Sequence, residues 1–175
     1  MGQIVAALAG LSCADVCAGG VKNIWLANSG DIDTVTYDGD GQVNAITMVT
    51  NKVFYAAVFK RQSKEFTEAI AFNPDTCGNL VTQSLSGVIS CCDDDARIWL
   101  QNAAKQSCCG IAVIHEEAAG CVKVWGLDTE YPAYLLSTDR KTGKKLEDAN
   151  ETVVTFECKT TLDNMAVEFT GSVPD

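Results

Sequence analysis

A single histidine, His115, and nine cysteines are the side chains best suited to nucleophilic or metal chemistry in this sequence. Cys108 and Cys109 lie just upstream of His115, on or beside the same expected strand. A thiol and an imidazole act as nucleophile and base only where they converge at hydrogen-bond distance. Residues six or seven apart on an extended strand stand about 20 Å apart. The spacing therefore predicts no pair with Cys108 or Cys109, leaves only another cysteine brought up by the fold, and makes His115 a polar strand end kept in solvent by Glu116 and Glu117. One histidine also excludes H-E-x-x-H zinc chemistry. The cysteines give C-x3-C once, at Cys13 and Cys17, and adjacent pairs at Cys91-Cys92 and Cys108-Cys109. A zinc ribbon needs paired C-x2-C knuckles.

Carboxylates and cations give little more. Asp38-Gly-Asp-Gly41 has the look of part of a calcium loop, but an EF-hand register that puts Asp38 and Asp40 at the third and fifth positions places Thr36 first and Thr47 twelfth. A hairpin turn is the expectation there. Asp93, Asp94 and Asp95 open an amphipathic segment, where acids cap helix amides and favour the macrodipole. Arg140, Lys141, Lys144 and Lys145 form the concentrated positive charge of the chain, in a run that matches neither G-x-x-x-x-G-K-[ST] nor G-x-G-x-x-G. The expectation is a solvated loop, with contact to an acidic neighbour as its functional reading. No assembly of nucleophile, base and oxyanion donors emerges, so the reading is non-enzymatic, with no cofactor and no metal.

The elements that would position these residues are mostly strands. Apolar runs separated by turn residues occur at Ile24–Ala27, Thr34–Tyr37, Val43–Met48, Val53–Phe59, Glu65–Phe72, Asn79–Ser90, Ile111–His115, Val122–Trp125, Thr152–Cys158 and Met165–Thr170. In Glu65–Phe72 the residues Phe66, Ile70 and Phe72 share a parity with Glu68, which predicts a half-buried antiparallel strand. Between Asp94 and Lys105 the period changes: Ala96, Trp99, Leu100 and Ala103 follow helical spacing, with Arg97, Gln101 and Lys105 opposite. Many strands and one internal helix, at about 93–106, predict a mainly β fold: a β-sandwich or small open barrel with one flanking α-helix.

The 175 residues suit one domain, able to bury roughly two thirds of its unfolded surface. The formal charge of −10 argues against a sequence-blind grip on DNA, which relies on Lys and Arg displacing phosphate counterions. Residues 1–20 contain the apolar run Ile4–Leu11, but the first lysine is Lys22, so the cationic start of a secretory signal is missing. Gly10 and Ala14 stand where a lipoprotein signal has Leu before its cysteine. Neither export by this route nor a membrane span is expected. Ile4, Leu8 and Leu11 share a helical stripe that Gly19-Gly20 would close, so residues 1–20 read as an N-terminal helical arm. Cys109 and Cys121 sit in apolar runs and are expected to pack, reduced, as small hydrophobes. A secreted, disulfide-braced binding domain is the alternative on the same cysteines.

The order of features resembles the major tail tube proteins of tailed bacteriophages, in the form seen in phages and prophages of Bacteroidetes. The likeness runs through Lys22-Asn-Ile-Trp-Leu-Ala-Asn28, Asp31-Ile-Asp-Thr-Val-Thr-Tyr37, Ala45–Met48 to Val53–Tyr55, the helix at Asp94–Lys105, Cys121-Val-Lys-Val-Trp-Gly-Leu127, and Thr142–Asn150 before Thr152–Phe156. The resemblance implies a single tail-tube domain over 1–175, related to the tube protein of type VI secretion, whose copies close into hexameric rings. Rings would stack into the conduit for genome DNA, in a virion tail assembled in the host bacterial cytoplasm. The implied partners are other copies of the chain and the tape-measure, terminator and baseplate proteins, with DNA passing unbound and no membrane. On that reading Ile4, Leu8 and Leu11 contact an adjacent subunit or ring. The alternative from another class is a different tail, baseplate or head-completion module that binds a structural partner.

Overall fold

A computed structural model of the protein describes residues 19–73, 78–90, 94–141 and 150–174. Among the described residues there are eleven strands: β1 (Val21–Asn28), β2 (Ile32–Tyr37), β3 (Val43–Met48), β4 (Tyr55–Ala56), β5 (Glu65–Asn73), β6 (Gly78–Ser90), β7 (Ile111–Glu117), β8 (Val122–Trp125), β9 (Tyr134–Lys141), β10 (Glu151–Thr160) and β11 (Val167–Glu168). One helix, α1 (Asp94–Gln106), stands between β6 and β7. The strands form a five-stranded sheet ordered β11-β8-β7-β1-β4, a four-stranded sheet ordered β5-β6-β10-β9, and the β2-β3 hairpin. The fold is mainly β with one helix, consistent with the sandwich or open-barrel expectation.

The five-stranded sheet is the middle layer. One face supplies Ile24, Val113 and Trp125 to a core shared with Leu85, Val154 and Phe156 of the four-stranded sheet. Its other face supplies Ala27, Ala112, Ile114 and Val124 to a second core closed by Val43 and Ile46 of the hairpin and by Phe54 and Phe169. A strand buried on both faces needs a near-continuous apolar run. In β7 the five residues Ile111 to His115 are all buried. Strand β10 has one wet face and alternates instead, with Thr152, Val154, Phe156, Cys158 and Thr160 turned inward.

Helix α1 flanks the first core. Trp99 and Leu100 pack against it while Arg97, Gln101 and Lys105 are exposed, as the periodicity predicts. Trp99 meets Phe59 and Phe156 edge to face, at centroid distances of 6.2 and 6.4 Å. That geometry favours aromatic pairs beyond the area they bury. The turn after β2 is the expected hairpin: Asp38 Oδ1 accepts from the amides of Asp40 and Gln42, each at 2.9 Å.

Several expectations need correction. Tyr134–Lys141 is a strand pairing β10, so Arg140 and Lys141 belong to a ladder, opposite Thr152 and Glu151, and not to a loop. Val53–Phe59 contributes only the two residues of β4 to a sheet, and Val58 is 87% exposed. Met165–Thr170 likewise shrinks to β11 and a single bridge from Phe169 to Val43. Cys109 and Cys121 are exposed; of the four described cysteines only Cys158 is buried, and all four are free thiols. The basic positions Lys144 and Lys145, the arm residues Ile4, Leu8 and Leu11, and the cap Asp93 lie outside the described residues.

Candidate functional site

His115 departs furthest from its sequence reading. It is 0% exposed, in the first core, and its strand is paired on both sides by Ile24 of β1 and Lys123 of β8. Trp125 Nε1 donates to His115 Nδ1 at 3.2 Å, and the Phe66 ring lies over the imidazole at a centroid distance of 4.3 Å. Nε2 is buried with no hydrogen-bond partner. Burial, then the nearby Lys123 ammonium, lower the His115 pKa to about 4. A neutral, enclosed imidazole at physiological pH is a core residue. The acids credited with solvating it turn elsewhere: Glu116 binds Lys22 and Asn23, each at 2.6 Å, and Glu117 pairs with Lys123 at 3.5 Å.

A second polar set lies beneath the end of the four-stranded sheet. Glu68 Oε2 accepts from Gln83 Nε2 at 2.9 Å and from the Ala166 amide at 2.8 Å. Gln83 also donates to the Asn164 carbonyl at 3.3 Å. These contacts tie the turn after β10 to the sheet. The parity of β5 places Glu68 on the inward face, but only the fold provides its partners.

An acidic groove of about 290 Å³ opens beside that turn, with Asp128, Asp163, Tyr37 and Tyr131 in its walls. Asp128 is held by the Glu130 amide at 2.8 Å and by Asn164 Nδ2 at 3.3 Å. Among the described residues no group of three or more His, Cys, Asp or Glu side chains is arranged to hold a metal ion. Arg140 and Lys141 are at the far end of the same sheet. The ten residues of β10, about 33 Å of strand, run from the partner of Lys141 to the turn beside this groove.

The surface offers two further features. Strands β5 and β9 are the outer strands of the four-stranded sheet, nine and eight residues long. At the distal end of β5, Ile70 and Phe72 are 54% and 60% exposed, although the directly paired Val81 is buried. The parity that predicts one apolar face is present, but that face outruns the core it should cover. No helix among the described residues is long and apolar enough to cross a membrane. No protein-family model, curated protein or solved structure matches the chain.

Proposed function

We propose that the chain is a virion structural protein, a tail-tube subunit that closes into hexameric rings and stacks into the conduit for genome DNA. The observation that carries this reading is the pair of long outer strands on one sheet, with α1 covering the start of β9, where the Leu135 amide donates to Ser107 Oγ at 2.7 Å. Unpaired strand edges template association, and monomers usually keep them short, bent or covered. Strand β5 of one copy meeting β9 of the next is a heterologous contact, which closes into a ring when the rotation permits. The hexameric count comes from the resemblance to tail tube proteins. Ile70 and Phe72, exposed on β5, would gain cover at such a joint.

Two other features support the reading. Arg140 and Lys141, beside Asp139 and Glu151 at one end of β10, and Asp128 and Asp163 near its other end would supply charged partners for end-to-end stacking of like rings. The charge of −10 suits a wall along which DNA slides without adhering. Tape-measure, terminator and baseplate proteins are the further partners proposed, in a tail assembled in the bacterial cytoplasm. Negative-stain electron microscopy of the purified protein tests the proposal. Six-fold rings or stacked tubes are expected, and uniform monomers at high concentration would overturn it in favour of a module that docks on another tail protein.

A further inference from the structure

Helix α1 is incompletely covered on its inner side. None of its residues is fully buried, and Trp99 lines two hollows at once. The larger, about 440 Å³, has Leu26, Val53, Tyr55, Trp99, Ala103 and Ile111 among its walls. The second, about 290 Å³, continues past Val58 and Ile89. A third, about 250 Å³, runs beside Lys22–Trp25 to Lys64. Ala56 borders all three, and Trp99 borders both hollows beside α1, which together form the trough between β4 and α1.

The polypeptide enters the described structure beside the third hollow. Val21 donates to the Lys64 carbonyl at 3.4 Å, and the Gly20 carbonyl accepts from the Ala118 amide at 2.9 Å. Lys64 is itself a wall of the third hollow. Residues 1–18 precede this point, with Asp15 as their one charged side chain and Ile4, Leu8 and Leu11 on a common stripe. Seven residues lie between Leu11 and Gly19, a reach of about 26 Å if extended. The largest hollow begins near Leu26, about 17 Å along β1 from Val21. The stripe can therefore arrive at the apolar side of α1 without leaving its own chain.

We infer that the trough between β4 and α1 is the seat of the chain's own residues 1–18, with the Ile4, Leu8 and Leu11 stripe covering Trp99 and Ala103. Apolar side chains on a terminal segment laid into an apolar groove follow the helix-in-groove mode of recognition. The inference holds for the isolated subunit and does not rest on ring formation. Contact with an adjacent copy, the expectation from sequence, is a distinct outcome of the same test.

The test uses the full chain with a photo-crosslinking side chain at position 8, irradiated at low concentration as a mixture of isotopically light and heavy protein. The expected product is an adduct in the monomer band, joining position 8 to peptides from residues 53–60 or 94–106 of like isotope, with yield independent of concentration. Ala103→Arg, which obstructs the larger hollow, is expected to abolish it. Mixed-isotope adducts whose yield rises with concentration would overturn the inference in favour of a neighbour's arm, and adducts elsewhere or none would overturn it outright. Should Ala103→Arg fail to fold by circular dichroism, the adduct map of the parent chain decides alone. Micrographs of the same sample report separately on rings.

Discussion

Trp125 Nε1 donates to His115 Nδ1 at 3.2 Å in the buried centre of the protein. Accepting at Nδ1 puts the proton of the neutral imidazole on Nε2, where it has no partner. A buried, unpaired donor is costly, so the site exchanges one good bond for one unmet one. The expected consequence is asymmetric. His115→Phe leaves the Trp125 N–H unpaired and is expected to destabilise by about 1–3 kcal/mol, and the double variant with Trp125→Phe is expected to lose less than the sum of the two singles. Urea unfolding of the two singles and the double checks this.

The same histidine sets a pH dependence. Its folded pKa of about 4 lies below the ordinary value of 6.5. Between these values the unfolded chain binds the proton and the folded chain does not, so stability falls as pH drops from about 6.5 towards 4. The loss from this group approaches about 3 kcal/mol at the lower limit. Because the chain has one histidine, a single imidazole resonance followed by NMR reports the titration directly. A midpoint near 6.5 in the folded protein would contradict it.

Gly87 of β6 faces the Phe59 ring, and a Cβ there would lie 2.6 Å from a ring carbon. Gly87→Ala is expected to cost about 1–3 kcal/mol through overpacking. Phe59→Leu in the same chain should relieve part of it, as read by thermal and denaturant unfolding.

The described thiols should separate by reactivity. Burial foremost, then the Asp128 and Glu157 carboxylates, push the Cys158 pKa up to about 11. Its Sγ also lies 3.1 Å from the Tyr131 carbonyl oxygen. Cys108, Cys109 and Cys121 are exposed. Alkylation at neutral pH followed by peptide mapping is expected to modify those three first and Cys158 only on unfolding. Early labelling of Cys158 would contradict its placement.

Tyr134 hydroxyl donates to Glu157 Oε1 at 2.7 Å across the β9-β10 pair. That bond first, and burial second, raise its pKa to about 12. The folded value exceeds the ordinary one of 10, so this contribution to stability is complete below pH 10 and is lost as pH rises towards 12. Tyr134→Phe should remove it, at a cost of about 1 kcal/mol at neutral pH. Ultraviolet titration should lose its latest-ionising tyrosine.

The strands with strong periodicity were legible from sequence because their burial is simple. In β10 every second residue turns inward, and in α1 the residues Trp99 and Leu100 fall on the docking side of the helical period. Strand β9 was not legible: after Tyr134, Leu135 and Leu136 it continues as Ser-Thr-Asp-Arg-Lys, an edge whose ladder bonds leave no mark on side-chain polarity. His115 misled for a related reason. Its chain neighbours are acids, but its environment comes from Phe66 and Trp125 on other strands. The groove at Asp128 depends on the same kind of distant approach, here by Asn164.

The segment that follows β10 fastens the outer hairpin to the middle sheet. The Phe169 amide bonds the Val122 carbonyl at 2.8 Å, Thr170 bonds Val43 at 3.0 Å, and Phe54 bonds the Pro174 carbonyl at 3.1 Å. Translation delivers these residues after everything they hold. A ribosome that has completed β10 has already supplied the four-stranded sheet and every strand of the middle sheet except β11, while Val43 and Ile46 still await the Phe169 ring that shares their core. The last layer to lock is therefore one of the first to be made, and the interval between the two exposes the hairpin's apolar side during synthesis.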